Sequence, residues 1–586
     1  MKRLLLLSIY IVLSNIIFAQ VNLVPAGINR PADFEYLSAP DSTGKRMPLK
    51  MPTLTKASSI PTLPYPIIFI HGLVGKSDTW DTFTSFLNSQ YGLIYGGRMD
   101  FCLNYDGDNS KANTVFAPTA GADLAMFTPT LIAGDYYYLN FDVGMDGSYN
   151  PNGSIYDSWS NQQAIVKQGL AVKWAIYYVL KITGRDKVIL MGHSMGGLSA
   201  REYLQNSSIW QPDGKHHVAK LVTTGTPHGG SNSTAFGLGI PKSMSINEKM
   251  DATRDLRRSY AISGANGVYL FGGIESNSIM NNNILFNYYN VDVNCNGTYG
   301  ENITGLNQKS IFTNLDYSCI IGECSGCIID PNPGDGVVWD ICADLKNYYP
   351  NLSVNRFYYY ATATVQIHTD LPKQSYENMQ GLDEPKEYSL AYHVGFDTSY
   401  TGFITVQPGG GYSPDYDEYK FSVPVKSKVT VNMNNIHIAD LMVNIRDLSN
   451  NIVGTIIHSN GLSNINFIQL VNAGSYYLEI YGTPSSSSYL YPYNFILNSS
   501  TTGTDLLSES KFEVYPNPAT DLITIKSNNN ISLSSTYIIN DQLGRRIMMG
   551  KLNNEATTID ISQLESGLYF LQVGQQSERT FKVIKK

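Results

Sequence analysis

The segment from Lys187 to Gln205 constrains the fold of this chain more than any other segment. It reads KVILMGHSMGGLSAREYLQ, in which an apolar run leads through the pentapeptide GHSMG into a helical pattern. Gly192 and Gly196 remove the side chains that would collide in a sharp turn from a strand into a helix. Such a turn lifts the hydroxyl of Ser194 clear of the sheet, and the amino end of the following helix favours developing negative charge there. The segment therefore predicts a nucleophilic serine between a strand and a helix, rather than a glycine-rich turn that happens to contain a serine.

The segments around this unit indicate an α/β domain. Between Pro66 and about Pro372, strand-like apolar runs alternate with helical patterns, which is typical of a mostly parallel sheet covered by helices. The candidate strands are IIFIHG, YYYLNFD, KVILMGH, AKLVTTGT, YSCIIGE and FYYYATATVQIH. Between the second and the third, apolar residues recur at helical spacing from Ser158 until Gly184 ends the pattern. We expect a core-facing helix there.

Length and charge limit the possible classes of protein. The chain has 586 residues, whereas single cores stop growing at about 250–300 residues, so several domains are expected. The formal net charge is -8 and charged residues make up only 15%. No basic face is therefore expected, and nucleic acid is not an expected partner.

The amino terminus resembles an export signal. Lys2 and Arg3 precede the apolar run LLLLSIYIVLSNIIFA, and the small Ala19 precedes a cut expected before Gln20. We therefore interpret residues 1–19 as a signal peptide and residues 20–60 as an N-terminal extension. A membrane anchor is the alternative, but the run is short for a span and carries Ser14 and Asn15. No later apolar run is long enough to span a bilayer, so we expect no transmembrane segment in the mature chain.

The six cysteines fit an exported protein. Cys102 stands alone, whereas Cys295, Cys319, Cys324, Cys327 and Cys342 follow in one region. Up to three disulfides are possible, and six cysteines allow 15 connectivities, among which the sequence does not choose. Cys324 and Cys327 form a C-x-x-C motif without a second such pair, which favours structural disulfides over a zinc or redox site.

A nucleophilic serine needs an oxyanion hole. PIIFIHGLVG places a buried strand directly before His71 and Gly72, and the next backbone N–H can point into the site. Together with the N–H after the nucleophile, this predicts Leu73 and Met195 as the two donors. His71 precedes the serine, so we interpret it as a packing and hydrogen-bonding residue rather than as the base.

The acid is expected after the serine and before the histidine. Asp335 lies in the Gly-flanked loop of IIDPNPGDGVVWD, where a carboxylate can face an imidazole. Asp330, Asp340 and Asp344 are the alternatives, interpreted otherwise as a turn residue, a helix start and an exposed residue.

Four histidines lie downstream of Asp335, namely His368, His393, His437 and His458. His368 ends a strand-like run before a Pro-containing loop, where a base is expected. His393 lies near the domain boundary, and the other two fall in a β-rich region. We therefore predict His368 as the base, with His393 as the alternative.

Four motifs in this order resemble a known fold. FIHGLVGKSDTW, GHSMGG, TGTPHGGS and GDGVV look like the α/β-hydrolase fold, and specifically the secreted bacterial lipases and esterases. The resemblance covers about residues 61–371, and we expect the catalytic domain at residues 61–375. It implies ester hydrolysis through an acyl-enzyme, with Ser194 as nucleophile, Asp335 as orienting acid and His368 as general base, and it requires no cofactor. By the same resemblance His228, in TPHGGS, is a loop residue.

The region from about 233 to 314 departs from this pattern. It is rich in Gly, Asn and Tyr and follows a predicted strand where lipases often carry a lid, so it is either a lid over an acyl pocket or an inert surface insertion. Within it, DVNCNG offers Asp292, Asn294, Asn296 and Gly297 at calcium-loop spacing. The twelfth position is Ile303, which cannot supply the bidentate carboxylate of an EF-hand, so calcium remains only an option.

Two all-β modules are expected after the catalytic domain. Residues 400–498 alternate apolar and polar residues between Asn, Gly and Ser turns, which predicts a β-sandwich. This module resembles the bacterial pre-peptidase C-terminal domain. After a Ser/Thr-rich linker at 499–511, residues 512–586 open with FEVYPNPATDLITIKS and end with RTFKVIKK, which resembles the type IX secretion sorting domain. That resemblance implies the type IX machinery as a partner, and a secreted or surface-attached protein.

The motifs together predict a secreted serine ester hydrolase acting on a lipid or another ester. A phospholipase, polyester hydrolase, thioesterase or acyltransferase would use the same residues, because the pocket decides the substrate. A different class is a surface adhesin whose hydrolase domain is a degenerate scaffold. The intact serine, acid, histidine and oxyanion hole argue against the adhesin.

Overall fold

A computed structural model gives the architecture of the chain. It describes residues 21–24, 60–103, 124–127, 131–143, 159–231, 251–256, 260–262, 265–267, 304–327, 332–405, 414–437, 441–458, 463–482, 489–501, 512–527, 536–542, 545–552, 556–574 and 579–586. The chain divides into two compact units. The first holds residues up to 422 with 430–469 and 475–498, and the second holds residues 499–586 with 423–429 and 470–474.

The first unit is built on a nine-stranded sheet. In chain order the strands up to the insertion are β1 (Val21–Val24), β2 (Ile67–Ile70), β3 (Tyr95–Cys102), β4 (Leu124–Phe127), β5 (Tyr136–Asn140), β6 (Val188–His193) and β7 (Val218–Thr224). A hairpin of β8 (Tyr260–Ile262) and β9 (Ala265–Gly267) follows, and β10 (Asp316–Ser325) and β11 (Asn355–Thr362) complete the large sheet.

The order across this sheet is β1-β4-β3-β5-β2-β6-β7-β10-β11. The seven strands from β3 to β11 pair in parallel, whereas β4 runs antiparallel to both β3 and β1. The predicted mostly parallel sheet is confirmed. Parallel strands direct all their carboxyl ends to one edge, so the loops after β2, β6, β10 and β11 meet there.

Helices accompany the sheet. They are α1 (Asp81–Tyr91), α2 (Ile165–Thr183), α3 (Met195–Gln205), α4 (Asp251–Leu256), α5 (Asp340–Ala343) and α6 (Ser375–Leu382). The helix predicted before Gly184 is α2, and Gly184 ends it in the left-handed conformation with φ 67°. Ile176 and Val179 of α2 are fully buried in one core with Leu190 and Leu221 of the sheet. Among the described residues no helix is both long and apolar enough to cross a bilayer.

Two further sheets form a sandwich within the same unit. Its strands are β12 (Tyr392–His393), β13 (Ser399–Gly402), β14 (Asp415–Val423), β15 (Ser427–Asn434), β16 (Leu441–Asp447), β17 (Ile452–His458), β18 (Ile465–Val471), β19 (Gly474–Gly482) and β20 (Tyr493–Thr501). One sheet has the order β12-β14-β19-β16-β17 and the other has the order β13-β20-β15-β18. Buried and more exposed residues alternate along β15, as expected where one face of a strand packs on a core.

The second unit contains the last module. Its strands are β21 (Phe512–Tyr515), β22 (Leu522–Ser527), β23 (Thr536–Asn540), β24 (Arg546–Lys551), β25 (Ala556–Asp560), β26 (Gly567–Gly574) and β27 (Arg579–Lys585). They form a three-stranded and a four-stranded sheet. Ile523, Ile525, Leu571 and Val573 are buried in a core of their own. The predicted second all-β module is therefore present.

Five of the six cysteines lie among the residues that the structure describes. Cys324 and Cys327 are joined by a disulfide at the end of β10. Cys102, Cys319 and Cys342 are buried, and Cys295 lies outside the described residues.

Candidate active site

Ser194 occupies a strained turn between β6 and α3. Its backbone has φ 53° and ψ -125°, which a non-glycine residue rarely adopts. A Cβ on Gly192 would lie 2.4 Å from the backbone nitrogen of Gly197, and a Cβ on Gly196 would lie 2.5 Å from the carbonyl oxygen of Ile70. The two glycines of GHSMG are thus required by the close approach of α3 to β2 and β6. The side chain is held at the carboxyl edge of the sheet.

His368 lies beside this serine. Its Nε2 is 2.9 Å from Ser194 Oγ, and its side chain is almost fully buried. The sequence placed His368 at the end of a strand, whereas β11 ends at Thr362 and His368 begins a short 3₁₀ helix, His368–Lys373. The carbonyl oxygen of His368 is 3.0 Å from the Nε2 of His193, which precedes the serine. Burial lowers the pKa of His193 well below its usual range, so its neutral imidazole donates to this carbonyl.

Asp335 lies on the other side of the imidazole. Its Oδ2 is 2.6 Å from His368 Nδ1, and only 1% of the residue is exposed. Its Oδ1 accepts hydrogen bonds from the backbone N–H groups of Val337 (2.9 Å) and Val338 (2.7 Å). These bonds fix the plane of the carboxylate. The loop after β10 thereby aims one oxygen at the histidine.

Of the three alternatives to Asp335, two have other positions and contacts and the third lies outside the described residues. Asp340 begins α5. Asp344 caps a 3₁₀ turn by accepting from the Lys346 N–H and pairs with Arg356 at 3.2 Å. Asp330 lies outside the described residues.

Two glycines make room for the Asp335–His368 pair. Gly225, after β7, has φ +56°, and a Cβ there would lie 3.1 Å from Asp335 Oδ2 and 3.2 Å from His368 Nδ1. A Cβ on Gly322 would lie 2.7 Å from the Cβ of Asp335. The sequence does not indicate this role for either glycine: Gly225 lies in the TGTPHGGS motif and Gly322 in a predicted strand, but neither pattern shows which side chains the glycine faces.

The predicted oxyanion donors flank the serine. Met195 is the first residue of α3, whose first-turn N–H groups have no partner within the helix. Leu73 follows Gly72, where a Cβ would lie only 2.7 Å from the Cβ of Ser194. The loop after β2 therefore passes directly over the serine. Val74, the next residue, has φ 53°, and the Gly75 N–H donates to the Gly72 carbonyl at 3.0 Å, so the loop is a tight turn.

His71 holds this turn in place. Its Nδ1 donates to the carbonyl oxygen of Gly72 at 2.8 Å, and its Nε2 accepts from the Phe141 N–H at 2.8 Å. Burial lowers the pKa of His71 to about 4, so the ring is neutral at neutral pH, as this donor–acceptor pattern requires. Its contacts are those of a packing and hydrogen-bonding residue.

The other candidate histidines have different partners. His393 lies in β12, and its backbone N–H donates to the hydroxyl of Tyr65. His228 is buried between Thr223 Oγ1 at 3.1 Å and the Arg201 guanidinium at 3.2 Å. His437 follows β15, and His458 ends β17.

Most of the region 233–314 lies outside the described residues, including the loop with Asp292, Asn294, Asn296, Gly297 and Ile303. One described part, α4, packs beside the oxyanion turn. Ala252 and Leu256 of α4 are buried against Met195 and Leu198 of α3, and Leu73 packs on the same cluster. Asp255 also accepts a hydrogen bond from the first N–H of α2, at 3.0 Å.

The geometry defines what the site can do. A hydroxyl within hydrogen-bond reach of an imidazole can pass its proton to that ring when it attacks an electrophile. A carboxylate on the opposite ring nitrogen selects the tautomer with a free Nε2 and stabilises the imidazolium that forms. Two backbone N–H groups beside the serine can hold an oxyanion.

Comparisons with known proteins identify two regions. Residues 64–279 match a family model described as a PGAP1-like alpha/beta domain, and residues 513–586 match a secretion system C-terminal sorting domain. No curated protein matches the chain significantly.

Similar solved structures cover parts of the chain. A gene product of Listeria innocua is 15% identical over 55% of this chain and 95% of its own, with a TM-score of 0.30. The pre-peptidase C-terminal domain of a Bacillus anthracis collagenase is 20% identical over 20% of this chain and 99% of its own, with a TM-score of 0.16. The lysozyme inhibitor PliG of Aeromonas hydrophila is 15% identical over 18% of this chain and 94% of its own, with a TM-score of 0.14.

Proposed function

We propose that this chain, an α/β-hydrolase carrying a type IX sorting domain for export to the cell surface or beyond, is a serine carboxylic-ester hydrolase. One observation carries the proposal. His368 links Ser194 Oγ, 2.9 Å from its Nε2, to Asp335 Oδ2, 2.6 Å from its Nδ1. The order serine, acid, histidine along the chain is that of α/β-hydrolases with this mechanism.

The first half of the proposed reaction acylates the serine. Ser194 Oγ attacks the ester carbonyl carbon while His368 Nε2 takes the hydroxyl proton. The carbonyl oxygen becomes an oxyanion, which the N–H groups of Leu73 and Met195 hold. The imidazolium, oriented by Asp335, then protonates the leaving alcohol as the C–O bond breaks.

The second half releases the acid. A water molecule gives a proton to His368 Nε2 and attacks the acyl carbon, and the same two N–H groups hold the second oxyanion. The imidazolium returns its proton to Ser194 Oγ as the acyl bond breaks. Every step uses groups of this chain, and the mechanism calls for no cofactor.

The substrate class within ester hydrolases depends on the acyl pocket. The apolar contact of α4 with Met195 and Leu73 supports a pocket wall formed partly by the 233–314 insertion, as in a lipase. Activity that rises sharply when a substrate passes from monomers to an emulsion would support a lid there. Equal activity on monomers and on the emulsion would indicate that the 233–314 insertion is an inert surface insertion rather than a lid.

The test of the reaction is p-nitrophenol release from acyl esters of increasing chain length. Ser194→Ala, Asp335→Asn and His368→Ala should each lower kcat by about 10³-fold or more without changing Tm by more than a few degrees. A peak on long chains would indicate a lipase and a peak on short chains an esterase. Full activity of His368→Ala would show that His368 is not the base, and His393 would then be the candidate base.

A fluorophosphonate probe separates the remaining alternatives. Labelling of wild type but not of Ser194→Ala, without p-nitrophenol release, would point to a phospholipase, polyester hydrolase, thioesterase or acyltransferase on the same residues. Absence of labelling together with absence of ester hydrolysis would contradict the proposal and favour an adhesin with a degenerate hydrolase scaffold.

A further inference from the structure

A disulfide closes the turn at the end of β10. Cys324 and Cys327 are bonded through their sulfur atoms at a sequence separation of 3. Both cysteines are half-buried, whereas Ser325 and Gly326 between them are exposed. Gly326 has φ +95°, a conformation that favours glycine in a tight turn. We call residues 324–327 the disulfide turn.

The loop that carries Asp335 does not hold its own shape. Gly334 and Gly336, on either side of the acid, have φ +144° and φ +89°. Glycine loses more conformational freedom on ordering than any other residue. The position of the Asp335 backbone therefore depends on what the two glycines contact outside the loop.

The disulfide turn contacts both of these glycines. The backbone N–H of Cys324 donates to the Gly334 carbonyl at 2.7 Å. A Cβ on Gly336 would lie 3.1 Å from Cys327 Sγ, so this sulfur packs against the glycine. The two cysteines thus support the residue before Asp335 and the residue after it. Because the disulfide fixes the cysteines relative to each other, it also fixes these two contacts relative to each other.

The same turn contacts the segment that leads to the histidine. The Ser325 carbonyl accepts from the Ala363 N–H at 3.3 Å, and the Asp335 carbonyl accepts from the Ile367 N–H at 2.9 Å. Ile367 directly precedes His368. The disulfide turn, the acid loop and the histidine segment therefore form one hydrogen-bonded assembly.

We propose, on the basis of the ester-hydrolase function proposed above, that the Cys324–Cys327 disulfide is a positioning element that holds the Asp335 carboxylate at His368. A disulfide between cysteines so close in sequence contributes little to global stability, because the loop that it closes is short. A displacement of about 1 Å in a reacting group, in contrast, can cost about 100-fold in rate. The bond thus matters more for the geometry of the site than for the stability of the fold.

The bond also makes ester hydrolysis sensitive to the redox state. A dithiol reductant cleaves it by transferring two electrons and two protons, so that the reductant becomes a disulfide and Cys324 and Cys327 become thiols. Disulfides persist in exported proteins and are rare in the cytosol, where thiols are kept reduced. The hydrolase therefore reaches full activity only in the oxidising compartments to which export takes it.

The first test is the double variant Cys324→Ser with Cys327→Ser in the full mature protein. Its kcat for p-nitrophenyl esters should be about 10- to 100-fold below that of wild type, with KM within about twofold, because Asp335 acts on the histidine and not on substrate binding. Its Tm should fall by no more than a few degrees. Ser325→Ala, which changes an exposed side chain of the same turn, is the matched control and should behave like wild type.

Two readouts separate positioning from a general structural role. In an Asp335→Asn background, removing the disulfide should change kcat by less than about twofold, because the carboxylate that it positions is already gone. Amide hydrogen exchange should accelerate at residues 334–338 of the double variant and stay unchanged in β6 and α3. An equal fold-loss of kcat in both backgrounds would overturn the positioning role.

Reduction of the wild-type protein with dithiothreitol repeats the test without a substitution. Activity should fall about as far as in the double variant and return on reoxidation, whereas dithiothreitol should not lower the activity of the double variant further. If the double variant does not fold, this measurement decides. Absence of p-nitrophenol release from untreated wild type would contradict the ester-hydrolase proposal alone, since exchange at residues 334–338 still tests the support of the loop. Full activity of the double variant together with unchanged exchange would overturn the positioning role.

Discussion

At the scale of single residues, Gly225 tests how closely the candidate site is packed. Its φ of +56° and the short distances from a Cβ to Asp335 Oδ2 and His368 Nδ1 mean that an alanine would push on the carboxylate–imidazole pair. Misplacement of reacting groups by about 1 Å can cost about 100-fold in rate. We therefore expect Gly225→Ala to lower kcat/KM by about 10- to 100-fold in p-nitrophenyl ester assays.

Gly184 provides the matched control. It has φ +67°, but a Cβ there would meet nothing within 4 Å, so Gly184→Ala introduces similar backbone strain without touching the site. Both variants should lose about 1 kcal/mol or more of stability from that strain. Equal activity of the two variants would show that the contacts of Gly225 do not constrain the catalytic groups.

His71 gives the folded state a pH dependence. Its pKa is about 4 when folded and about 6.5 when unfolded, so between these values the unfolded chain binds one more proton at this ring. Its contribution to stability is complete above pH 6.5, falls as pH drops towards 4 and changes no further below that. The slope for one such group is about 1.4 kcal/mol per pH unit.

His71→Asn removes this titration. The free energy of unfolding, measured with urea from pH 4.5 to 6, should then depend less steeply on pH, by about 1.4 kcal/mol per unit. The mutant should also be less stable at pH 7, because the bridge from Gly72 to Phe141 is lost. An unchanged slope would mean that His71 is not neutral in the folded protein.

At this scale the sequence located only some of the important groups. Chain order and local motifs pointed to Ser194, Asp335 and His368, and the structure brings these three within hydrogen-bond distance; their catalytic roles remain predictions. His193 was missed, because its contact with the His368 carbonyl joins residues far apart in sequence.

At the scale of elements, β3 shows why one strand was not predicted. Its sequence YGGRMDFC has two glycines and an internal Arg98–Asp100 ion pair at 2.6 Å instead of the continuous apolar run expected of a buried parallel strand. Gly96 is needed because any Cβ there would overlap the ring of Tyr137 on the neighbouring β5. Close packing between strands therefore overrides the local preference against glycine.

The contacts between the α/β region and the sandwich predict common unfolding. Tyr91, the last residue of α1, donates to the Tyr489 carbonyl and packs its ring 5.7 Å from that of buried Phe403. The Thr401 N–H, on β13, donates to the Thr62 carbonyl at 2.9 Å. We expect a single calorimetric transition for the first unit, at which ester hydrolysis is also lost.

Phe403→Ala tests this coupling. Removing a buried phenylalanine should cost about 3–5 kcal/mol, and the temperature at which activity is lost should fall together with the sandwich transition. A sandwich that melts earlier while p-nitrophenol release survives to the wild-type temperature would show that the two parts unfold independently.

At the scale of the whole molecule, the sorting domain is a separate unit. Residues 513–586 match the secretion sorting family, and Ile523, Ile525, Leu571 and Val573 give the module a core of its own. The domain division 1–19, 20–60, 61–375, 400–498, 499–511 and 512–586 remains a prediction from the sequence. The motifs of the last module could be recognised because they are local, whereas its packing could not be derived from composition.

Removing residues 512–586 should therefore abolish export and leave ester hydrolysis intact. The candidate site and the residues that position it all lie before residue 400, so the purified truncated protein should hydrolyse p-nitrophenyl esters with kcat/KM within about twofold of the full chain, as distant changes are usually additive. In the native host, activity should shift from the medium or cell surface to the cell interior. Ser194→Ala in the full chain is the counterpart, since it should be exported but inactive. Normal export of the truncated chain would contradict a role of residues 512–586 in export. Loss of hydrolysis after truncation would mean that these residues stabilise the part of the chain that carries the candidate site.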